Sequence, residues 1–242
     1  MILRIGSVVP ALLLGLLAGA CSQDDPPEPA DLADGGLAVD YYPLVDGASW
    51  SYWHSSRGGW QEDVTVTEEG VDEQGRATFR MTDTPNLDGR NSKSILVRDG
   101  AAVLRVYRDQ FLNGEPELSV VYDPGFMRFD EAWIEQRVPF TETLTYQRTE
   151  TDAGQQSQAT TDRGHVFTME SLSETVEAEG RTFRNCVKVR RERVPGATSG
   201  TTAGTQGEED NLYWYAPGVG KVRELNLTTG NTEVLVDFDI PE

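Results

Sequence analysis

Few side chains in this 242-residue chain are suited to covalent or acid–base chemistry: its imidazoles are His54 and His165, and its thiols are Cys21 and Cys186. The spacings that would give such residues a catalytic role are missing. There is no HExxH pair for zinc, no GxSxG nucleophile turn and no GxxxxGK[ST] phosphate loop. A Ser-His-acid hydrolase site using His54 or His165 stays open, because its parts need not be neighbours in sequence. Otherwise each histidine is expected at a strand edge on the surface. Acids are abundant, yet Asp88-Gly89, Asp99-Gly100 and Glu208-Glu209-Asp210 lack the alternating oxygen ligands of a calcium loop. Adjacent acids such as Glu68 and Glu69 point to opposite faces of a strand. The expectation is a non-enzymatic protein with no catalytic residue, no metal and no cofactor, its acids forming a solvated surface.

Cys21 has a different context. Arg4 is followed by an uncharged run from Ile5 to Ala20. That run is short of the ~20 residues a membrane-spanning helix needs, and Pro10 would break or kink a permanent helix. A charged start, an apolar run and small residues at its end form an export signal. Leu17-Ala18-Gly19-Ala20-Cys21 resembles a bacterial lipobox, which implies cleavage before Cys21 and attachment of lipid to it. Ser22 then implies sorting to the outer membrane, facing the periplasm. Several acyl chains at about 0.8 kcal/mol per buried CH₂ make a stable anchor.

The chain divides accordingly into a signal at 1–20, an acidic Pro/Gly-rich tether at 21–40 and a single β domain at 41–242. The whole chain carries −19, from 40 acids against 21 Lys and Arg. Removing the signal takes away Arg4 and no acid, leaving 40 acids against 20 bases, or −20. So acidic a chain is a poor partner for nucleic acid. The tether has no aromatic residue and cannot bury enough surface to offset its ordering entropy.

Past Tyr41 the pattern is β. Glu62–Thr67 alternates, putting Val64 and Val66 on one face and Thr65 and Thr67 on the other. Ser94–Arg98, Asp99-Gly100 and Ala101–Tyr107 read as a hairpin with a type I′ turn at Asp-Gly. Asn113-Gly114 and Glu179-Gly180 punctuate other strands, and 232–238 predicts a strand with Val234, Val236 and Phe238 inward. Phe129–Gln136 is the one short helix candidate. Residues 150–164 and 195–211 read as loops. The fold class expected is a single antiparallel twisted sheet, half-barrel or barrel-like, with little helix.

Cys186 lies in Arg181–Arg193, which holds six basic residues. Phe183, Val187 and Val189 share one strand face there, with Cys186 opposite unless a bulge near Asn185 turns it inward as a buried, inert thiol. The basic residues pair across strands with acids such as Glu170, Glu174 and Glu177, or else form a docking patch for anionic lipid. Trp50, Tyr52 and His54 share one face of a first strand, with Trp53 on the other. Tyr213 and Tyr215 share a face near the end, with Trp214 opposing. These six aromatics line either a covered core or an apolar groove.

Tyr41-Tyr-Pro-Leu-Val-Asp-Gly-Ala-Ser-Trp-Ser-Tyr52, Thr182-Phe-Arg-Asn-Cys-Val-Lys-Val189 and Tyr215-Ala-Pro-Gly-Val-Gly-Lys-Val222 together resemble exported bacterial lipoproteins of myxobacterial type. That resemblance implies a secreted, mostly antiparallel β domain. A weaker similarity is to the half-barrels of periplasmic lipoprotein carriers, which implies an acyl-chain carrier as the alternative function. The partners expected are the membrane, through the lipid, and a hydrophobic ligand or an envelope protein, with the chain a monomer. Replacing Cys21 with Ala is expected to abolish incorporation of labelled fatty acid; labelling that persisted would place the lipid elsewhere.

Overall fold

The computed structural model describes residues 40–154, 157–194 and 209–241. The export signal, Cys21 and nearly all of the tether lie outside the described residues, as does 195–208 of the second expected loop. The strands are β1 (Ser49–His54), β2 (Trp60–Val71), β3 (Ala77–Asp83), β4 (Arg90–Asp99), β5 (Ala102–Leu112) and β6 (Glu115–Asp130). They continue as β7 (Phe140–Asp152), β8 (Gln158–Ala178), β9 (Arg181–Arg193), β10 (Asn211–Ala216), β11 (Gly220–Asn226) and β12 (Thr232–Asp239). Each pairs antiparallel with the next, and β12 pairs with β1, so one sheet closes into a 12-stranded barrel. The expected barrel-like sheet is thus fully closed.

Period-two alternation builds the wall. On β7, Thr141, Thr143, Thr145 and Gln147 face water, while Leu144, Tyr146 and Arg148 face inward. On β2, Val64 and Val66 are buried and Thr65 and Thr67 exposed, as expected. An outer face of Thr, Gln and charged residues is unlike the ~25 Å apolar band of a membrane-spanning barrel. Among the described residues no helix is long and apolar enough to cross a membrane.

The hairpins follow turn chemistry, with one shift. Asn113-Gly114 and Glu179-Gly180 are two-residue loops with positive φ at both positions (52° and 85°; 46° and 78°), which is the type I′ pattern. The β4–β5 hairpin stands, but Asp99 pairs with Ala102, so the turn is Gly100-Ala101. Only Gly100 has positive φ there, which fits type II′ rather than the expected I′.

An even-stranded meander puts both ends of the barrel domain at one rim: β1 begins beside the end of β12, with Ser49 opposite Asp239. This lower rim is plugged. Tyr41, Tyr42 and Leu44 are buried in the core. Asp40 accepts from Arg98 Nη2 at 2.8 Å, and Glu131 accepts from the Tyr41 amide at 2.7 Å. The helix candidate is a 3-10 turn at Glu131–Glu135, capped by Asp130, that drives Trp133 into the plug against Phe129 and Phe167.

Three further expectations are corrected. Residues 150–164 are mostly the paired ends of β7 and β8, with Arg148 and Arg163 buried between polar neighbours. On β12 the inward residues are Glu233, Leu235 and, beyond a bulge, the expected Phe238 opposite Trp50, while Val234 shares the outer face with Trp53, its partner. Apolar residues fill 234–236, so hydrophobicity alone does not select the face. His54 and His165 are also inside: His165 is buried against Phe126 and Tyr146.

The anticipated bulge at Asn185 is present. Val176 pairs with Phe183 and Glu174 with Cys186, so β9 carries an extra residue, and Asn185 has φ 55°. Cys186 is thereby fully buried, and burial pushes its thiol up to about 12. A protonated, inaccessible thiol is a poor nucleophile. With Cys21 replaced by Ala, the folded protein should resist a maleimide or disulfide probe and react within seconds of unfolding. Fast modification of the native protein would contradict this burial.

Candidate functional site

The upper half of the barrel is hollow. A cavity of about 530 Å³ lies there, rimmed by exposed hairpin residues such as Asp88, Thr229 and Asn231. A recess of about 120 Å³ continues towards the Tyr42–Trp50 plug, sharing Glu62, Asp83, Ser92, Arg105, Arg128 and Lys221 with the cavity above. Inward positions change character along the axis. β8 runs Arg163, His165, Phe167, Met169, and β2 runs Trp60, Glu62, Val64, Val66, from polar at the open end to apolar at the plug. The space is therefore a polar cup with an apolar base.

One side of the cup, from β1, β2, β11 and β12, is acidic and internally compensated. His54 and Glu233 are direct cross-strand partners, and Tyr52 pairs with Glu62. His54 Nε2 is 3.3 Å from a Glu62 oxygen, Nδ1 is 3.8 Å from Glu233, and the ring stacks on Trp60 at 4.1 Å. The Lys221 ammonium bonds Glu224 at 2.7 Å and also contacts Glu233. Asn211 Nδ2 donates to Glu224 at 2.7 Å. Burial disfavours the Lys221 charge, but the two carboxylates outweigh it and hold the ammonium charged well above its ordinary range. Asp83 is held by the Ser92 hydroxyl at 2.6 Å.

His54, Glu62 and Glu233 each offer one ligand atom within 4.8 Å of the others. One imidazole and two carboxylates are a donor set for a divalent cation. Here, however, Lys221 already supplies positive charge to Glu233, so the cluster is an ion-pair network without any added ion.

The opposite wall, from β5 and β6, is cationic. Arg105, Arg108 and Arg128 all line the cup. Arg105 is 7% exposed. Its Nε and Nη1 are buried without a hydrogen-bond partner, and no carboxylate pairs with it among the described residues. Burial first, then the neighbouring Arg128 and Arg108 charges, lower its pKa to about 10. Arg128 Nε donates to the Tyr42 hydroxyl at 3.4 Å, a neutral partner. Arg105 and Arg128 both lie 5.9 Å from the Phe126 ring centre, and Arg191 lies 5.2 Å from it.

Of the aromatics singled out by sequence, Trp50 and Tyr52 are buried inside, with Trp50 Nε1 donating to the Val219 carbonyl at 2.7 Å and Tyr52 under Lys221. Tyr213 lines the cup and Tyr215 packs on Phe129. Trp53 is 43% exposed on the outer face. Trp214 is also outside, covered by Lys188 and Arg223 and donating to Glu174. Instead of a common apolar groove, they contribute to the plug, the cup wall and the outer surface. The basic β9 segment pairs as expected with Glu170 and Glu174 through Lys188 and Arg190. Arg181 pairs instead with Asp237, and Glu177 accepts from Thr182.

The cup residues Arg105, Arg108, Arg128, Glu62, Glu233 and Lys221 were not candidates from sequence. Their signal is faint: each is a charge where alternation predicts an inward side chain, as in Glu62-x-Val64-x-Val66. Reading it needs the knowledge that the barrel is wide enough to hold a polar interior.

No protein-family model matches the sequence, and no curated protein matches it. In solved structures, the chain is similar to a candidate lipoprotein from Parabacteroides distasonis. Identity is 13%, coverage is 84% of this chain and 100% of the other, and the TM-score is 0.45.

The His54 environment makes a titration prediction. Burial alone would lower its pKa, but the Glu62 hydrogen bond and the Glu233 charge raise it above 6.5. A histidine raised on folding stabilises fully below its unfolded value, and that contribution fades as pH rises through the folded value. The His54 ring resonances should therefore titrate above pH 6.5, and Glu62→Gln should move the midpoint down. A midpoint at or below 6.5 in the unaltered protein would contradict the arrangement.

Proposed function

We propose that this chain is an exported, lipid-anchored binding protein of the bacterial envelope that holds a small polar ligand in the barrel cup and performs no chemistry on it. Export and anchoring rest on the signal and the lipobox-like Cys21; outer-membrane sorting rests on Ser22. The observation that carries the binding role is the cup: a hollow of about 530 Å³, closed below by the aromatic plug and lined above by charged side chains. Its size falls within the range of small-ligand sites. Asp40, with which the described residues begin, lies at the plugged rim, at the opposite end of the barrel from the mouth.

Two alternatives are weaker. A carrier of acyl chains needs an apolar cavity, whereas the apolar residues here are used in packing the base. A hydrolase using His54 needs a ring nitrogen directed at a nucleophile, whereas both nitrogens face carboxylates. Thermal denaturation of the mature protein with panels of sugars, amino acids and small acids tests the reading. A polar ligand at a hundred times its Kd should add about 2.7 kcal/mol, and a fluorescent fatty acid should add nothing. Tight fatty-acid binding without any polar ligand, or ester or glycoside turnover lost on His54→Ala, would overturn it.

A further inference from the structure

The charges in the cup are not equally matched. On the acidic side each carboxylate has a cation or donor: Glu62 has His54, Glu224 and Glu233 have Lys221, and Asp83 has Ser92. On the other wall Arg105 has no carboxylate partner among the described residues, whereas Arg128 donates to the Tyr42 hydroxyl and its charge helps to keep Glu224 ionised. Removing a guanidinium from water without an anion is costly. Placing a second and third guanidinium near it adds repulsion. A purely structural barrel would fill such positions with apolar side chains at less cost.

The surroundings of Arg105 add a second observation. Its guanidinium carbon lies 5.9 Å from the Phe126 ring centre, an aromatic neighbour that leaves its N–H donors without an acceptor. In-plane guanidinium donors match two oxygens of a carboxylate or phosphate. Arg105 and Arg128 border both the main cavity and the deeper recess, so a ligand entering the cup reaches them at its floor.

We propose that Arg105, Arg108 and Arg128 bind an oxyanion group, phosphoryl or carboxyl, of the small ligand held in the cup. This rests on the cup being a ligand site and names the chemistry it selects. The anion supplies the counter-charge that Arg105 lacks among the described residues, inside the barrel.

The experiment is calorimetric titration of the full mature protein with inorganic phosphate, succinate and maltose, repeated on Arg105→Gln and Arg128→Gln. Phosphate, succinate or both should bind the wild type, and affinity should fall at least tenfold in each variant. The anion that binds more tightly identifies the phosphoryl or carboxyl source. Arg105→Gln should melt at the same or a higher temperature than wild type when no ligand is present, because it removes an unmatched buried charge; a structural arginine would show the opposite. Should one variant fail to fold, the other and Arg105→Lys, which keeps the charge but loses the fork, carry the comparison. Anion affinity unchanged in the variants would overturn the proposal. Binding of maltose but of neither anion would overturn it while leaving the cup as a ligand site. No response to any probe would remove both.

Discussion

Twelve strands closed into one barrel enclose more space than inward side chains can fill; about eight is the number at which a barrel interior just packs. The rest of the molecule answers that constraint. The lower half is filled by bringing in material from outside the wall: Tyr41, Tyr42 and Leu44 from the segment before β1, and Trp133 from the 3-10 turn between β6 and β7. The upper half has no such insert among the described residues. It is occupied by long charged side chains that reach inward and leave the middle open.

This division explains what was legible in the sequence. Alternation on β2 and β7, and the two-residue turns at Asn113-Gly114 and Glu179-Gly180, are local signals set by backbone geometry, and they survive in the structure. The bulge that buries Cys186 was also readable, because a Cys out of phase with Phe183, Val187 and Val189 needs one extra residue to face inward. Inside-versus-outside assignments failed where they assumed an apolar interior. Glu233 points in and Val234 points out because the upper barrel holds ion pairs, and the polar segments 150–152 and 158–164, with the buried Arg163, form strands for the same reason. The cup could not be assembled from sequence at all. His54, Glu62, Lys221 and Glu233 come from β1, β2, β11 and β12, whose adjacency exists only once the barrel closes.

The electrostatics divide the same way. The chain is strongly acidic overall, and its outer basic residues on β9 are largely neutralised by Glu170 and Glu174. A net negative surface serves solubility and repels anions at long range. It is screened within about 8–10 Å at ordinary salt, whereas the arginine wall is set inside a low-dielectric barrel where its field is little screened. An anion is therefore not attracted to the molecule as a whole; it gains only on reaching the floor of the cup.

That contrast bears on the difference between a stabilising network and a receptive one. Lys221 with Glu224 and Glu233, and His54 with Glu62, fix neighbouring strands at the β12–β1 closure, the pairing on which the barrel depends. Their charges largely offset one another, with Arg191 and Arg128 adding to the hold on Glu224. Arg105 and Arg128 sit across the cup on β5 and β6, where consecutive hairpin pairing already secures the sheet. They are not needed to close the barrel, and the burial of Arg105, which lacks a carboxylate partner among the described residues, is unfavourable in the absence of an anion. Arg105 borders both the cavity and the deeper recess, so a ligand entering through the mouth of the cup meets that unmatched charge at its floor.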